Sequence, residues 1–329
     1  MDCYNLNIHI CYMAFSITRR LQNDWELVEL QDDRQFIQVE IVPEAGAILN
    51  AFTILSDGNP LNIIDGYSGK VDYQANKHGG FKSAKLSPFV CRLKNGDYQW
   101  EGKNYHILKF MLGADALHGL LYDTVFRVMS TSVGEESCQV NLAYDYPGDI
   151  PGYPFPYTCE VRYSLQAGNI LTISTRIKNP ESSSATIPIS DGWHPYFRMG
   201  GKVDDWWLQV ASDQMLEYDE SLIPTGKMVT NPDFLAGRSL KDIKLDNGFL
   251  LNKGSSPFCV LKNPGRNISV EFISEKNYPY LQLYIPEHRE SIAIENLSSA
   301  PDAFNNGMGL IILKPGEEVN FEIGIRIVS

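Results

Sequence analysis

Two histidines and one glutamate are candidates for acid/base chemistry. His118 lies in the segment DALHGLLYD and His194 lies in DGWHPYF, so both occur among glycine and aromatic residues. Glu295 ends the alternating apolar stretch SIAIE. A single histidine is more often structural, and a buried glutamate commonly belongs to a salt bridge, because an unpaired buried charge costs several kcal/mol. Together, however, an imidazole that titrates near neutral pH and a buried carboxylate can perform general acid/base catalysis.

Two further polar residues are candidates for binding a ligand rich in hydroxyl groups. Arg92 lies just before the Asn95-Gly96 turn, where the sequence indicates a hairpin. An arginine in a strand usually faces solvent, but its guanidinium could instead reach into a groove and donate several hydrogen bonds. Asp246, in KLDNGFLL, is similarly ambiguous, because aspartates in turns commonly accept hydrogen bonds from their own backbone.

The elements that must position these residues are strands. From about residue 36 onward, apolar and polar residues alternate with a period of two, as in residues 37–41, 171–177 and 319–327. Turn sequences such as Asp57-Gly58 and Pro315-Gly316 separate these runs at short intervals. Many short strands between turns that contain Gly or Pro predict an all-β sandwich or barrel.

The domain organisation is predicted to be simple. The sequence contains no internal repeat, low-complexity tract or long linker, which favours a single domain over residues 21–329. Residues 1–20 are expected to form a loosely attached N-terminal extension, and Met13 is an alternative start to Met1. An acidic residue precedes the apolar part of this extension and Arg19-Arg20 follows it, which is the wrong order for a secretory signal.

Composition and charge argue against several classes of function. The net charge of −12 disfavours a nucleic-acid partner, because phosphate backbones are bound through clustered Lys and Arg. No stretch approaches the roughly 20 apolar residues of a membrane-spanning helix, so no membrane partner is expected. The six cysteines are scattered without a CxxC pair, which favours free thiols and a cytoplasmic location. The sequence also lacks the dinucleotide, Walker and zinc-helix motifs, which agrees with chemistry that needs no cofactor.

The chain resembles the aldose 1-epimerase (galactose mutarotase-like) family in the order of its segments. The matching segments are Arg92 before a hairpin, Leu117-His118-Gly119, His194-Pro195-Tyr196-Phe197, and Glu295 followed by Pro301 and Ala303-Phe304. The stretches ESLIPTG and LKPGEE also resemble family segments, so the similarity extends from about residue 36 to the C-terminus. This resemblance implies the large antiparallel β-sandwich of the galactose mutarotases and a cofactor-independent isomerase that interconverts the α and β anomers of a hexose.

The resemblance also implies a role for each candidate residue. Glu295 would be the catalytic base and His194 the catalytic acid. Arg92, His118 and Asp246 would bind hydroxyl groups of the sugar substrate.

Aromatic side chains suit a sugar ligand, because the apolar face of a sugar ring packs on flat rings. Trp193 and Tyr122, which lie near the two histidines in the sequence, are predicted to contact the substrate. The stretch from His194 to Glu295 is shorter than in typical galactose mutarotases, and Trp193-His194-Pro195 replaces a more polar context. The identity of the sugar therefore stays open.

Three alternative functions remain compatible with the sequence. A noncatalytic carbohydrate-binding protein on the same fold would use the sugar-binding side chains without an acid/base pair. A hexose-6-phosphate 1-epimerase would need a basic cluster, for which Lys82, Lys85 and Arg92 are candidates. A glycoside hydrolase would need two carboxylates at the scissile bond, such as Glu295 with Asp191 or Asp246.

Overall fold

The computed structural model describes residues 14–329, which fold mainly into strands. The first strands in chain order are β1 (Phe15–Gln22), β2 (Trp25–Asp32), β3 (Ile37–Val42), β4 (Ile48–Ser56), β5 (Asn59–Asn62), β6 (Ala84–Leu86), β7 (Arg92–Leu93), β8 (Asp97–Trp100), β9 (Lys103–His106), β10 (Met111–Leu112), β11 (Asp115–Leu117), β12 (Arg127–Val133), β13 (Ser137–Tyr146), β14 (Tyr157–Gln166) and β15 (Ile170–Lys178). The later strands are β16 (Ile187–Ile189), β17 (Gly192–His194), β18 (Tyr196–Phe197), β19 (Trp207–Val210), β20 (Gln214–Tyr218), β21 (Pro224–Thr230), β22 (Arg238–Ser239), β23 (Asp246–Leu250), β24 (Cys259–Asn263), β25 (Ile268–Lys276), β26 (Tyr280–Tyr284), β27 (Ile292–Leu297), β28 (Ile311–Leu313) and β29 (Glu318–Val328). Two short α-helices, α1 (Lys70–Asn76) and α2 (Ala303–Asn306), and four single-turn 3-10 helices complete the elements in this part of the chain.

The N-terminal strands form an antiparallel sheet in the order β1-β2-β3-β4-β5. Strand β1 pairs with β2 along its whole length, from Phe15 opposite Asp32 to Gln22 opposite Trp25. Residues 15–20 therefore belong to a sheet, and the loose extension expected for residues 1–20 does not reach this far, because Phe15 is buried in the core. Residues 1–13, including Met13, lie outside the described residues.

A nine-stranded antiparallel sheet has the order β12-β13-β14-β15-β29-β25-β24-β19-β22. Its strands show the predicted alternation. In β15, Leu171, Ile173 and Ile177 are buried while their neighbours are half-buried, and in β29 the residues Phe321 to Ile327 alternate in the same way apart from a buried glycine. The period-two pattern is the result of one face packing on the core while the other meets solvent.

An eight-stranded antiparallel sheet follows the order β21-β20-β23-β26-β27-β17-β6, and β18 also pairs with β27. Its inner face packs against the nine-stranded sheet. The ring of Trp193 meets that of Tyr163 with centroids 5.8 Å apart, and Phe197 meets Phe272 at 5.4 Å. The predicted antiparallel β-sandwich is thus confirmed. The outer face of the eight-stranded sheet does not pack on the nine-stranded sheet and is available for a binding site.

Helices contribute little to the described part of the chain. Within residues 14–329 no helix has both the length and the apolar character needed to cross a membrane. The cysteines of this part, Cys91, Cys138, Cys159 and Cys259, are buried and unpaired.

Candidate active site

A cavity of about 240 Å³ opens on the outer face of the eight-stranded sheet. Strands β17, β18, β23, β26 and β27 supply its floor, and segments around α1, β7, β10 and β11 supply its walls. The lining residues are His78, Gly79, Gly80, Phe81, Cys91, Arg92, Phe110, Leu112, Leu117, His118, His194, Tyr196, Tyr218, Leu222, Asp246, Gln282, Tyr284, Glu295 and Pro301. Five of the seven predicted site residues are among them: Glu295, His194, Arg92, His118 and Asp246.

His194 and Glu295 meet on the floor of this cavity. Gly192 pairs with Leu297 and Tyr196 with Ala293, so the antiparallel register places position 194 opposite position 295 on the neighbouring strand. The two side chains point to the same face, and His194 Nε2 lies 3.3 Å from Glu295 Oε1. They therefore touch on one surface of the hollow instead of facing each other across it.

The pKa values of this pair are shifted in opposite directions by the same cause. Burial raises the pKa of Glu295 well above its ordinary value, and the nearby charge of Asp246 raises it further. Burial lowers the pKa of His194 from 6.5 to about 4. Both shifts favour the uncharged forms, a protonated carboxyl and a neutral imidazole, because a low-dielectric site penalises charge. The pair is thus suited to exchanging a proton with a polar ligand.

Asp246 is held beside this pair by a glutamine that the sequence analysis missed. Gln282 lies opposite Glu295 on β26, and its Nε2 donates to Asp246 Oδ1 at 2.8 Å. The hydroxyl of Tyr218 donates to Gln282 Oε1 at 2.9 Å. Burial raises the pKa of Asp246, while this glutamine and Arg92 partly offset the shift. The signal that could have revealed Gln282 is its position as the one polar residue between apolar neighbours in YLQLY.

His118 lies on a wall of the cavity, next to His194 of the acid/base pair. Its ring stands edge-on to that of His194, with centroids 4.8 Å apart at 90°. Burial holds the pKa of His118 well below its ordinary range, and the charges of His194 and Arg92 add to this effect. Among residues 14–329, neither His118 Nδ1 nor His194 Nδ1 has a hydrogen-bond partner. Buried ring nitrogens without partners are groups that a ligand could satisfy.

Arg92 occupies the side wall between His118 and Asp246. Its Nη1 lies 3.7 Å from Asp115 Oδ2, and its backbone oxygen accepts a hydrogen bond from Asp302 N at 2.7 Å. The side chain is 20% exposed, so the guanidinium is partly buried and remains accessible from the cavity. This geometry fits a group that donates to ligand oxygens.

Several wall residues adopt backbone angles that side chains rarely allow. Phe81, Cys91, His118 and Leu222 all have positive φ, between 48° and 60°. Positive φ values in residues other than glycine cost free energy and collect at functional sites, where the surrounding structure enforces them. The surrounding structure therefore imposes these conformations on the wall, and Cys91 Sγ lies 3.9 Å from Glu295 Oε2.

Trp193 and Tyr122, predicted to contact the substrate, do not line the cavity. Trp193 precedes His194 in β17, so its side chain points to the opposite face and packs on Tyr163 in the core. Tyr122 is buried behind the wall, where its ring meets Phe81 edge-on with centroids 5.1 Å apart. The aromatic residues that do line the cavity are Phe81, Phe110, Tyr196, Tyr218 and Tyr284.

Three residues invoked for the alternative functions, Lys82, Lys85 and Asp191, lie outside the cavity, whereas Arg92 and Asp246 line it. Lys85 and Asp191 form an ion pair at 2.5 Å in the core, with both side chains fully buried. Lys82 pairs with Asp65 at 2.8 Å outside the cavity. Asp246 alone of the two proposed hydrolase partners shares the cavity with Glu295. Within the described residues no group of three or more His, Cys, Asp or Glu is arranged to bind a metal ion.

Comparison with known proteins gives consistent results. A sequence model of the family described as aldose 1-epimerase matches residues 26–326. An aldose 1-epimerase of Streptococcus thermophilus is 27% identical over 315 residues, covering 85% of this chain and 88% of its own. A galactose mutarotase of Sus scrofa is 25% identical over 336 residues, covering 90% and 92%. Among solved structures, a galactose mutarotase-like protein from Clostridium acetobutylicum has a TM-score of 0.84 at 17% identity, covering 96% of this chain and 99% of its own.

Proposed function

The chain belongs to the aldose 1-epimerase family, and on this premise we propose that it interconverts the α and β anomers of a sugar. The observation that carries the proposal is the contact of His194 Nε2 with Glu295 Oε1 at 3.3 Å on the floor of the cavity. Anomer exchange requires removal of the proton from the anomeric hydroxyl and protonation of the ring oxygen. These two oxygens are bonded to the same carbon, so an acid and a base that serve both must lie side by side.

In the proposed mechanism, Glu295 takes the proton of the anomeric hydroxyl while His194 gives a proton to the ring oxygen. The bond between the anomeric carbon and the ring oxygen then breaks, and an open-chain aldehyde forms. Rotation about the bond between C1 and C2 presents the other face of the carbonyl group. His194 then removes the proton from the oxygen that attacks C1, Glu295 returns its proton, and the ring closes as the other anomer.

The protonation state of His194 and Glu295 is compatible with these reaction steps. A protonated Glu295 with a neutral His194 holds the same number of protons as an ionised Glu295 with a charged His194. The reactive ion pair therefore forms by proton transfer within the site, without exchange with solvent. The raised pKa of Glu295 makes its carboxylate a stronger base than an exposed glutamate would be.

The other lining residues are assigned to substrate binding. Arg92 and His118 lie on the wall above the pair, and Asp246 and Gln282 extend the floor on the Glu295 side. Together they offer donors and acceptors to several hydroxyl groups, which is how proteins bind neutral sugars in small polar cavities. The reaction we propose uses these side chains alone.

The test is a survey of anomer exchange by NMR across free hexoses, with the protein at catalytic concentration. We expect at least one sugar to exchange faster than in buffer, and Glu295→Gln to remove the acceleration. A protein that accelerates no sugar, or a variant that retains full activity, would refute the proposal.

A further inference from the structure

One wall of the cavity is built largely of aromatic rings and lies at a defined position relative to the acid/base pair. The ring of His78 stacks on Phe110 with centroids 4.4 Å apart at 26°, and Phe81 meets Phe110 edge-on at 5.1 Å. Phe81 also contacts the His118 ring at 4.6 Å. We call His78, Phe81 and Phe110 the aromatic wall. It continues into Gly79 and Gly80, which also line the cavity.

The sheet register fixes the direction in which this wall lies. Gln282 pairs with Glu295, and His194 pairs with Ala84, so the order across the strands is Gln282, Glu295, His194, Ala84. The turn before Ala84 packs against β17, because Ser83 N donates to His194 O at 2.9 Å. Within the turn, Ala84 N donates to Phe81 O, also at 2.9 Å. The aromatic wall therefore lies beyond His194 on the side away from Glu295.

Sugar stereochemistry then places one substituent against the wall. In the proposed mechanism the anomeric oxygen lies at Glu295 and the ring oxygen at His194. In a pyranose with an equatorial anomeric hydroxyl and an equatorial C5 substituent, the atoms O1, C1, O5, C5 and C6 form one extended zigzag. C6 therefore continues past His194 in the direction from Glu295, toward Phe81 and Phe110.

The charges around the wall disfavour an anionic substituent there. Arg92 is the single Lys or Arg among the lining residues of this cavity in the described part of the chain, and it contacts Asp115. The three lysines nearest the wall in sequence each form an ion pair outside the cavity. They are Lys77 and Lys109, both paired with Asp123 at 2.9 and 2.6 Å, and Lys82, paired with Asp65 at 2.8 Å. A phosphate placed against Phe81 and Phe110 would lose hydration without gaining a lysine or arginine partner.

We infer that the aromatic wall selects the C5 substituent, and that the preferred substrate is a neutral 6-deoxyhexose whose methyl group packs against Phe110 and Phe81. This inference rests on the proposed mutarotation and deepens it by assigning a substrate class. A methyl group packs on the rings of Phe81 and Phe110 without a hydrogen-bonding requirement, whereas the hydroxymethyl group of an ordinary hexose brings a hydroxyl next to rings that offer it no hydrogen bond. An apolar pocket discriminates against an added hydroxyl only modestly, by up to about 100-fold.

The experiment compares anomer-exchange rates for two matched sets of sugars. These are D-galactose, 6-deoxy-D-galactose and D-galactose 6-phosphate, together with the corresponding three D-glucose compounds. We expect kcat/KM for the deoxy sugar to exceed that of the parent hexose by at least about fivefold in one set, and the 6-phosphates to be the poorest substrates. A smaller deoxy-to-parent ratio in both sets, or a 6-phosphate that is not the poorest substrate in either set, overturns the inference.

A variant of the wall provides the second arm. Phe110→Ser places a hydroxyl at the wall and should reduce the deoxy-to-parent ratio of kcat/KM by at least about threefold. Leu108→Ser is the matched control, because Leu108 is 62% exposed and is not part of the lining. An unchanged ratio in Phe110→Ser contradicts the inference while leaving mutarotation intact. Absence of exchange with every sugar would instead refute the proposed function, and this inference with it.

Discussion

Two buried acid–base pairs lie on opposite faces of the strand segment around His194, and they differ in how they are partnered. On the core face, Lys85 Nζ lies 2.5 Å from Asp191 Oδ2 and also donates to Thr175 Oγ1 at 3.0 Å. The hydroxyl of Tyr278 donates to the same carboxylate oxygen of Asp191 at 2.6 Å. This network joins both sheets and is closed to solvent.

On the cavity face, the imidazole of His194 and the carboxylate of Glu295 are also buried, at 5% and 2% exposure. Their closest atoms are 3.3 Å apart, and His194 Nδ1 has no partner among the described residues. The comparison teaches that burial alone does not mark a functional pair. The core pair is enclosed between the two sheets with both side chains fully buried, whereas His194 and Glu295 line a cavity that a ligand can enter.

The largest effect is expected from Glu295→Gln. The amide cannot accept the proton of the anomeric hydroxyl, so kcat for anomer exchange should fall at least about 100-fold, within the usual range for loss of a general base. NMR exchange measurements give the rate, and circular dichroism checks that the fold is kept. Glu135→Gln, an exposed change on the hairpin between β12 and β13, should retain full activity. Comparable activity in the two variants would remove the functional distinction between the pairs.

Lys85→Met should act on stability. It leaves Asp191 buried without its cation, which costs about 3–5 kcal/mol for a broken buried pair. Urea denaturation measures the free energy of unfolding, and the exposed Lys253→Met serves as the matched control. If the free energy of unfolding falls by the same small amount in both variants, the ion pair of Lys85 with Asp191 does not stabilise the packing of the two sheets.

A further difference is expected in how the cavity pair affects the pH dependence of the free energy of unfolding. Burial lowers the pKa of His194 from 6.5 to about 4. Between these pH values the unfolded chain binds a proton at this residue and the folded chain does not, so the contribution of His194 to the free energy of unfolding falls as pH drops, whereas the raised pKa of Glu295 makes an opposite contribution. His194→Gln lacks this loss, so its free energy of unfolding relative to wild type should rise by about 3 kcal/mol as pH falls through that window.

Denaturation curves collected from about pH 7 to about pH 4 test this expectation. His288→Gln changes an exposed histidine and should follow the wild-type curve. Parallel pH profiles for wild type and His194→Gln would show that the two states do not differ in protonation at this residue.

The smallest effect is expected from Arg92→Ala. The guanidinium lies beside the acid/base pair and is assigned to hydroxyl binding, so its loss should raise KM about tenfold and lower kcat less. Steady-state kinetics on the best sugar of the survey measures both constants. A fall in kcat with unchanged KM would indicate that Arg92 acts in the chemical step and not in substrate binding.

The sequence predicted much of the fold because its signal is local. Alternation in β3, β15 and β29 reports which face of each strand is buried, and the structure confirms it. The same rule could have corrected one prediction about the site. In a strand that carries His194 toward the cavity, Trp193 must point to the core, and it does. The prediction for Trp193 failed because neighbours in sequence were treated as neighbours in space.

The sequence by itself determined the β-sandwich class, the family resemblance and the set of polar residues from which the site is built. Only the tertiary structure decided that His194 and Glu295 touch, since that contact depends on the pairing of β17 and β18 with β27, about a hundred positions apart in the chain. The structure also decided that Lys85 with Asp191 faces the core and that Gln282 and the aromatic wall complete the cavity. Long-range strand register sets these relations, and a period-two pattern carries no information about which strands become neighbours.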